Sequence, residues 1–263
     1  MTGATAIVFD DVTMSYDASG SAEPILEHVS FSVQQGEFFV LVGPSGSGKS
    51  SLLKLVSGIA LPAAGRVLDD EGIAVRAPSA KRGMVFQSVD GPLFDWLTVR
   101  DNVAFGPRVA GRSRAEQLTI AQRYLDLVGL ATHETKYPHE LSGGMKQRVQ
   151  IARTLAADPR TVLMDEPFAA LDAQTRRVLQ REIARIWRET GKSFVYVTHD
   201  IREAVLLGQR IAVLGRGPRA NVQRIYEIPL EYPRDELDPR FAELVKQLEA
   251  DIEREAGFQW SSI

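Results

Sequence analysis

Gly43-Pro44-Ser45-Gly46-Ser47-Gly48-Lys49-Ser50 fits the spacing G-x-x-x-x-G-K-[ST] and directly follows the apolar run Phe38-Phe39-Val40-Leu41-Val42. Glycines at 43, 46 and 48 let a backbone turn tightly and aim successive N–H groups inward, and a helix starting near Gly48 adds the positive end of its dipole. Such a loop cradles polyphosphate. Lys49 then reaches the β- and γ-phosphates as a point charge, and the Ser50 hydroxyl can coordinate a Mg²⁺ bridging the same two groups. Asp165 and Glu166 end a second apolar strand, Val162-Leu163-Met164, and Pro167 terminates it. Beside a phosphate loop, an aspartate there can hold the metal through its water shell, while the adjacent glutamate orients or deprotonates an attacking water. His199 follows a third run, Phe194-Val195-Tyr196-Val197-Thr198, at the end of a strand where α/β sheets bind ligands. It could touch the γ-phosphate or the attacking water, but spacing alone reads a lone histidine as a surface residue or a satisfied core polar group.

The elements that must position these groups read as follows. Residues 5–16 are rich in β-branched and aromatic types and predict an opening strand, with a polar turn over 17–21. Residues 28–33 and 37–42 flank Gln34-Gln35-Gly36, which reads as a hairpin-like turn whose second arm delivers the phosphate loop. After the apolar helix Leu52-Leu53-Lys54-Leu55-Val56 come short β-prone pieces near 65–69 and 72–75, then a strand over 82–87 ending in the amide of Gln87. From 95 to 130 the pattern is helical, with Ser113 and Glu116 forming a capping box ahead of Leu118, Ala121, Leu125 and Val128. A helix over 142–156, strands at 161–165, 193–198 and 211–214 and a helix at 200–208 alternate as in a parallel α/β sheet. At the end, Asp238-Pro239 starts a helix with Phe241, Leu244, Val245, Leu248 and Ile252 on one face, expected to pack on its own domain rather than on another chain.

The chain has 263 residues, 44% hydrophobic and 25% charged, so it has apolar material for a sizeable core. A formal net charge of -3 argues against holding nucleic acid by general electrostatics. With no cysteine there is neither a disulfide framework nor a thiolate metal site, which suits a reducing compartment. The first residues, Met1 to Ile7, do not pair a basic region with a long apolar one, and no apolar run approaches the roughly 20 residues that span a bilayer. Any membrane role is expected to come through a partner.

Together with the phosphate loop and the Asp165-Glu166 pair, Leu141-Ser142-Gly143-Gly144-Met145-Lys146-Gln147-Arg148 resembles the LSGGQ signature of the ATP-binding subunits of ABC transporters. Met145 stands where that family usually has glutamine. The backbone logic survives, since Ser142 and the N–H groups of Gly143 and Gly144 at a helix start form an anion site of their own. The resemblance covers nearly the whole chain. It implies a phosphate-loop NTPase cassette of α/β class, with a RecA-like parallel core sheet, an N-terminal antiparallel β subdomain and a helical insertion. As one domain over 1–263, this would comprise a core of 1–94 and 158–230, a helical subdomain over 95–157 and a C-terminal helix over 238–256.

The resemblance also implies roles. Tyr16 would stack on adenine, and Gly43, Pro44, Ser45, Gly46, Ser47, Gly48, Lys49, Ser50 and Ser51 would hold the phosphates of ATP. Gln87 would sense Mg²⁺ and the attacking water, with Ser50 and Asp165 at the same metal. Glu166 and His199 would serve hydrolysis, with His199 as the switch histidine. In this family the signature of one subunit closes on the ATP held by another, so Ser142, Gly143, Gly144 and the D-loop Asp172 imply a head-to-tail homodimer with two composite sites. Residues 87–100, carrying Leu93, Phe94 and Trp96, correspond to the groove for a coupling helix of two membrane permease subunits, although these side chains could equally be the insertion's own core. The tail Tyr232-Pro233-Arg234-Asp235-Glu236-Leu237-Asp238-Pro239-Arg240-Phe241 resembles the subgroup serving nitrate, taurine and aliphatic-sulfonate importers. That implies a solute-binding protein in the complete system, no nucleic-acid partner and a place on the cytoplasmic face of the membrane. An export or lipoprotein-extraction ATPase would share every catalytic residue. A soluble ATPase of DNA repair or translation would carry a long coiled-coil insertion or two cassettes, and neither fits this chain.

Overall fold

The computed structural model describes residues 4–16, 23–89 and 91–256, so the turn expected over 17–21 lies outside the described residues. In chain order the elements are β1 (Thr5–Met14), β2 (Leu26–Gln34), β3 (Phe38–Val42), α1 (Lys49–Ser57), β4 (Ala64–Leu68) and β5 (Arg82–Val85). Then come α2 (Val99–Val103), α3 (Phe105–Val109), α4 (Arg114–Leu127), α5 (Gly143–Ala156), β6 (Thr161–Asp165) and α6 (Ala173–Thr190). The last are β7 (Ser193–Val197), α7 (Ile201–Leu207), β8 (Arg210–Leu214), β9 (Val222–Glu227) and α8 (Pro239–Ala256). The chain divides into two compact units, one formed by 1–78 with 193–263 and the other by 79–192.

In the first unit, β1 is paired antiparallel on both sides, to β2 and to β4. Its alternating burial points Ile7, Phe9 and Val12 inward, as a half-buried strand requires. β3 lies between β7 and β8 and is parallel to both, with Val40 opposite Tyr196 on one side and Ile211 on the other. All five of its residues are buried, which is why it reads as an unbroken apolar run rather than an alternation. The rings of Phe9, Phe31 and Phe39 stack in sequence, at 4.4 Å and then 5.3 Å between centroids, and fasten the antiparallel sheet to β3.

The turn at Gln34–Gly36 is not a hairpin. β2 pairs with β1, β3 pairs with β7 and β8, and the chain changes sheet at this corner. Gly36, at φ 72°, donates its N–H to Ser193 Oγ at 3.0 Å, and Phe194 N–H reaches Glu37 O at 2.8 Å. Polar turn residues between two apolar runs are common to both arrangements, so the sequence pattern could not separate them. The alternation argument also passed over β9, which runs antiparallel to β8. The expected C-terminal helix forms as α8, and its Phe241, Val245, Leu248 and Ile252 are buried, with α7 among its neighbours.

In the second unit, β5 and β6 pair in parallel, Val85 opposite Met164. Helices α2 to α5 pack on one another, and α4 opens with the expected capping box: Ser113 N–H donates to Glu116 Oε2 at 2.8 Å and Glu116 N–H to Ser113 Oγ at 3.4 Å. The long helix α6, absent from the sequence reading, buries Leu179, Ile183, Ile186 and Trp187 at helical spacing.

Gly65 and Gly72 share a φ of 73°, yet a Cβ on Gly65 would stand 2.1 Å from Asp11 O, while one on Gly72 would meet nothing within 4 Å. Gly72→Ala is expected to cost about 1 kcal/mol through backbone strain alone, and Gly65→Ala about 1–3 kcal/mol more through the collision. Urea unfolding of the two full-length variants reads the difference; equal losses would count against the close approach of β4 to β1.

Candidate functional site

The expected site residues are shared between the two units. In the first, β3 ends at Val42 and the chain turns through Gly43, at φ 154°, and Gly48, at φ 86°, into α1. A Cβ at 43 would come within 2.8 Å of Leu214 O and one at 48 within 2.6 Å of the Leu26 side chain, so packing as well as φ demands glycine at both. Lys49 is only 7% exposed, and its ammonium donates to the carbonyls of Gly43 and Pro44, both at 2.8 Å, and to Ser47 Oγ at 3.4 Å. Ser45 and Gly46 are exposed at the loop tip, Ser47 is fully buried and Ser50 half-buried. No side-chain cap hydrogen bond closes α1 and no acid stands in its first turn.

Tyr16 is 59% exposed, and its hydroxyl pairs with Ser51 Oγ at 3.1 Å and accepts from Lys54 Nζ at 3.3 Å. Partial burial pushes this phenol up, but the bonds to Ser51 and Lys54 and the Lys54 charge outweigh it and leave it below the ordinary tyrosine value. His199 is exposed one residue past Thr198, whose N–H donates to Leu41 O at 3.2 Å. That bond sets the histidine's backbone beside the strand that leads into the phosphate loop. Asp200 caps α7, accepting from Arg202 N–H at 2.8 Å and Glu203 N–H at 3.2 Å.

In the second unit, Asp165 is the buried last residue of β6, at 7% exposure, and Glu166 follows with φ 43°. A left-handed glutamate is a strained backbone position of the kind that gathers at functional sites. The Glu166 carboxylate accepts from Gln87 Nε2 at 3.2 Å, which brings together two residues that lie 79 positions apart. Gln87 is exposed, two residues beyond the end of β5. Ser142 caps α5, accepting from Met145 N–H at 3.3 Å. A Cβ at Gly144 would meet Ala170 O at 3.2 Å, so the 169–171 turn packs directly on this glycine. Asp172 caps α6, and the Thr175 N–H it accepts at 2.9 Å helps hold its carboxyl below the usual carboxylate value.

Two site residues escaped the sequence reading. Gln147 and Gln150 are buried on α5 and hold the backbone on both sides of Gln87. Gln147 Nε2 donates to Phe86 O at 3.1 Å; Gln150 Nε2 donates to Ser88 O at 3.2 Å while its Oε1 accepts from Phe86 N–H. Thr154 Oγ1 continues the same stripe with Met84 O at 3.3 Å. The available signal was a polar i, i+3, i+7 row on a helix expected to be apolar toward its core.

The segment expected to meet a partner is divided. Leu93 is buried, Phe94 is half-buried between Trp96, Phe105 and the Arg153 guanidinium, and Trp96 is 74% exposed. Buried Asn102 holds this loop in place, donating to Phe94 O and Leu97 O at 3.0 Å and accepting from Phe94 N–H at 2.9 Å.

These groups suit a magnesium nucleotide. In the first unit the loop supplies an ammonium and a helix start for phosphate, with the Ser50 hydroxyl a hard oxygen donor of the kind Mg²⁺ prefers; in the second, the Asp165 carboxylate is a donor of the same kind. Among the described residues no group of three or more His, Asp or Glu could hold a metal ion by itself. Among them, too, no helix is long and apolar enough to cross a membrane.

The sequence profile of the ABC transporter family matches residues 26–169. A taurine import ATP-binding protein TauB of Jannaschia sp. is 40% identical over 252 residues, covering 93% of this chain and 92% of its own. A nitrate import ATP-binding protein NrtD of Synechocystis sp. is 46% identical over 215 residues, covering 82% of this chain and 79% of its own. Among solved structures, the dimeric post-hydrolysis state of the ATP-binding cassette MJ0796 bound to ADP and Pi is similar, with a TM-score of 0.76 and 31% identity over 86% of this chain and 100% of that one.

Gln150→Leu keeps the volume but removes the acceptor of Phe86 N–H and the amide donor to Ser88 O. It is expected to destabilise the chain by about 1–3 kcal/mol and to speed amide exchange at Phe86. Urea unfolding with exchange read by mass spectrometry checks this, and an unchanged amide would remove the clamp.

Proposed function

The chain belongs to the ABC transporter family and is an ATPase, and from that premise we propose that it powers an importer for a small solute of the nitrate, taurine or sulfonate kind. The relatives that cover most of both chains carry import of taurine or nitrate in their names, and this supports the substrate class. The single observation that carries the chemistry is the Gln87 amide on the Glu166 carboxylate at 3.2 Å. It gives the strand-end glutamate a fixed orientation, as a group that must direct a water requires.

In this reading Lys49 and the 43–51 loop hold the β- and γ-phosphates, Tyr16 lies under the adenine, and Ser50, Gln87 and Asp165 serve Mg²⁺. When bound, that ion neutralises charge on the transferring phosphoryl group. Glu166 takes the proton of the attacking water and His199 contacts the γ-phosphate. With one phosphate loop per chain and a second anion-binding helix start at Ser142, Gly143 and Gly144, two copies join head to tail, and Asp172 reaches across. ATP then closes the dimer and hydrolysis opens it. The exposed Trp96 ring and the surrounding 87–100 region of each copy would receive a coupling helix from one of two permease subunits, on the cytoplasmic face of the membrane in a system with its own solute-binding protein.

Glu166→Gln is expected to retain ATP binding and lose about 10²- to 10⁴-fold in turnover, whereas Lys49→Ala loses binding itself because the charge facing the phosphates is gone. Equilibrium nucleotide binding and phosphate release on each variant check this; near-normal turnover by the first would remove Glu166 from its role, and tight binding by the second would remove the loop from its own. Purification of the tagged chain from its native membranes in mild detergent is expected to recover a multi-span permease. Recovery of ribosomes or DNA without any membrane protein would overturn the transport reading and leave the ATPase standing.

A further inference from the structure

The tail over 229–241 has no place in the reaction just described, yet its polar side chains converge on α7. Tyr232 Oη donates to Leu207 O at 2.6 Å. The Arg234 guanidinium stacks on the Tyr232 ring at 4.1 Å and donates to Gly208 O at 2.6 Å, to Leu230 O at 3.1 Å and to Val205 O. Glu236 lies 3.6 Å from Arg202, whose guanidinium is 5.7 Å from the ring of the fully buried Phe241. The last carbonyls of a helix have no partner within it and carry the negative end of its dipole, so at that end of α7 the Tyr232 phenol fits as a donor and the Arg234 guanidinium both as a donor and by charge. A helix of seven residues is too short to hold itself, and its position is set by what binds its two ends.

The other end of α7 is tied to His199. Thr198 Oγ1 donates to Glu203 Oε2 and accepts from Asp200 N–H at 3.0 Å, and Asp200 caps the helix. Both neighbours of His199 are therefore bonded to the first turn of α7, and Glu203 is buried there. We propose that Tyr232 and Arg234 are positioning residues for hydrolysis: they form a strap that holds the C-terminal end of α7 and through that helix sets His199. This rests on the role given to His199 above.

Two substitutions loosen the strap without emptying it. Tyr232→Phe keeps the ring on Arg234 and removes only the donor to Leu207 O; Arg234→Lys keeps the charge but loses the planar fork that stacks on the Tyr232 ring and spreads its donors over Val205 O, Gly208 O and Leu230 O. Amide exchange on the full chain is expected to quicken by about tenfold over 198–207 and to stay unchanged over α1 in both variants. Single-turnover phosphate release with enzyme in excess, which still reads a slow chain, is expected to fall about 3- to 10-fold with the ATP affinity unchanged. In a His199→Ala background the same two substitutions should produce no further fall, because the proposed route from strap to reaction runs through that histidine.

Unchanged exchange over 198–207, or acceleration spread evenly over the unit, would overturn the strap itself. An equal fractional loss of turnover in both backgrounds would make Tyr232 and Arg234 ordinary packing residues. Wild-type release by His199→Ala alone would overturn the histidine's role and with it the functional half of the proposal, while the exchange data would still report on the strap.

Discussion

The Lys49 ammonium sits almost out of water on two loop carbonyls, and the phosphate loop takes its shape from that contact. A buried cation left without partners would be far too costly, so the loop must turn the oxygens of Gly43 and Pro44 inward, and a left-handed Gly48 must carry the chain from them into α1. Those oxygens can be presented only if the preceding strand does not move. β3 meets this need because it is bonded on both edges and buried on both faces. The interior of the first unit is in this sense a mounting for one ammonium group.

The same device recurs at the segments that carry Trp96, Gln87 and His199. Asn102 fastens the turn that displays Trp96, Gln147 and Gln150 fasten the segment that carries Gln87, and Arg234 fastens the helix that follows His199. In each case a side chain bonds backbone groups that no strand or helix ladder would otherwise reach. Each bond contributes about 1 kcal/mol net, but leaving its partner buried and unpaired costs more, and this asymmetry makes the loops definite in position. At Glu166 the backbone is strained instead, in the left-handed region, and the Gln87 amide fixes the carboxylate that results. Exposed side chains are thus supported by the buried amides of Asn102, Gln147 and Gln150 and the half-buried guanidinium of Arg234.

Much of this was written in local spacing. The phosphate loop, the strand-end pair Asp165 and Glu166, the Ser142 and Ser113 caps and the apolar face of α8 each depend on residues only a few positions apart, and the structure forms the elements those patterns imply. The chain by itself therefore determined its α/β class and the glycine-rich loop between β3 and α1. What only the tertiary structure decided is which distant group each buried polar atom selects. The Gln34–Gly36 turn became a corner because β2 and β3 found partners in different sheets; Leu93 turned inward while Trp96 stayed out; Gln150 chose Phe86 and Ser88; Tyr232 and Arg234 chose the end of α7. Periodicity and capping act over a turn or two of chain and can be read along it. A buried carbonyl accepts whichever donor packing brings within about 3 Å, and that neighbour is set by the arrangement of whole elements rather than by any spacing in the sequence.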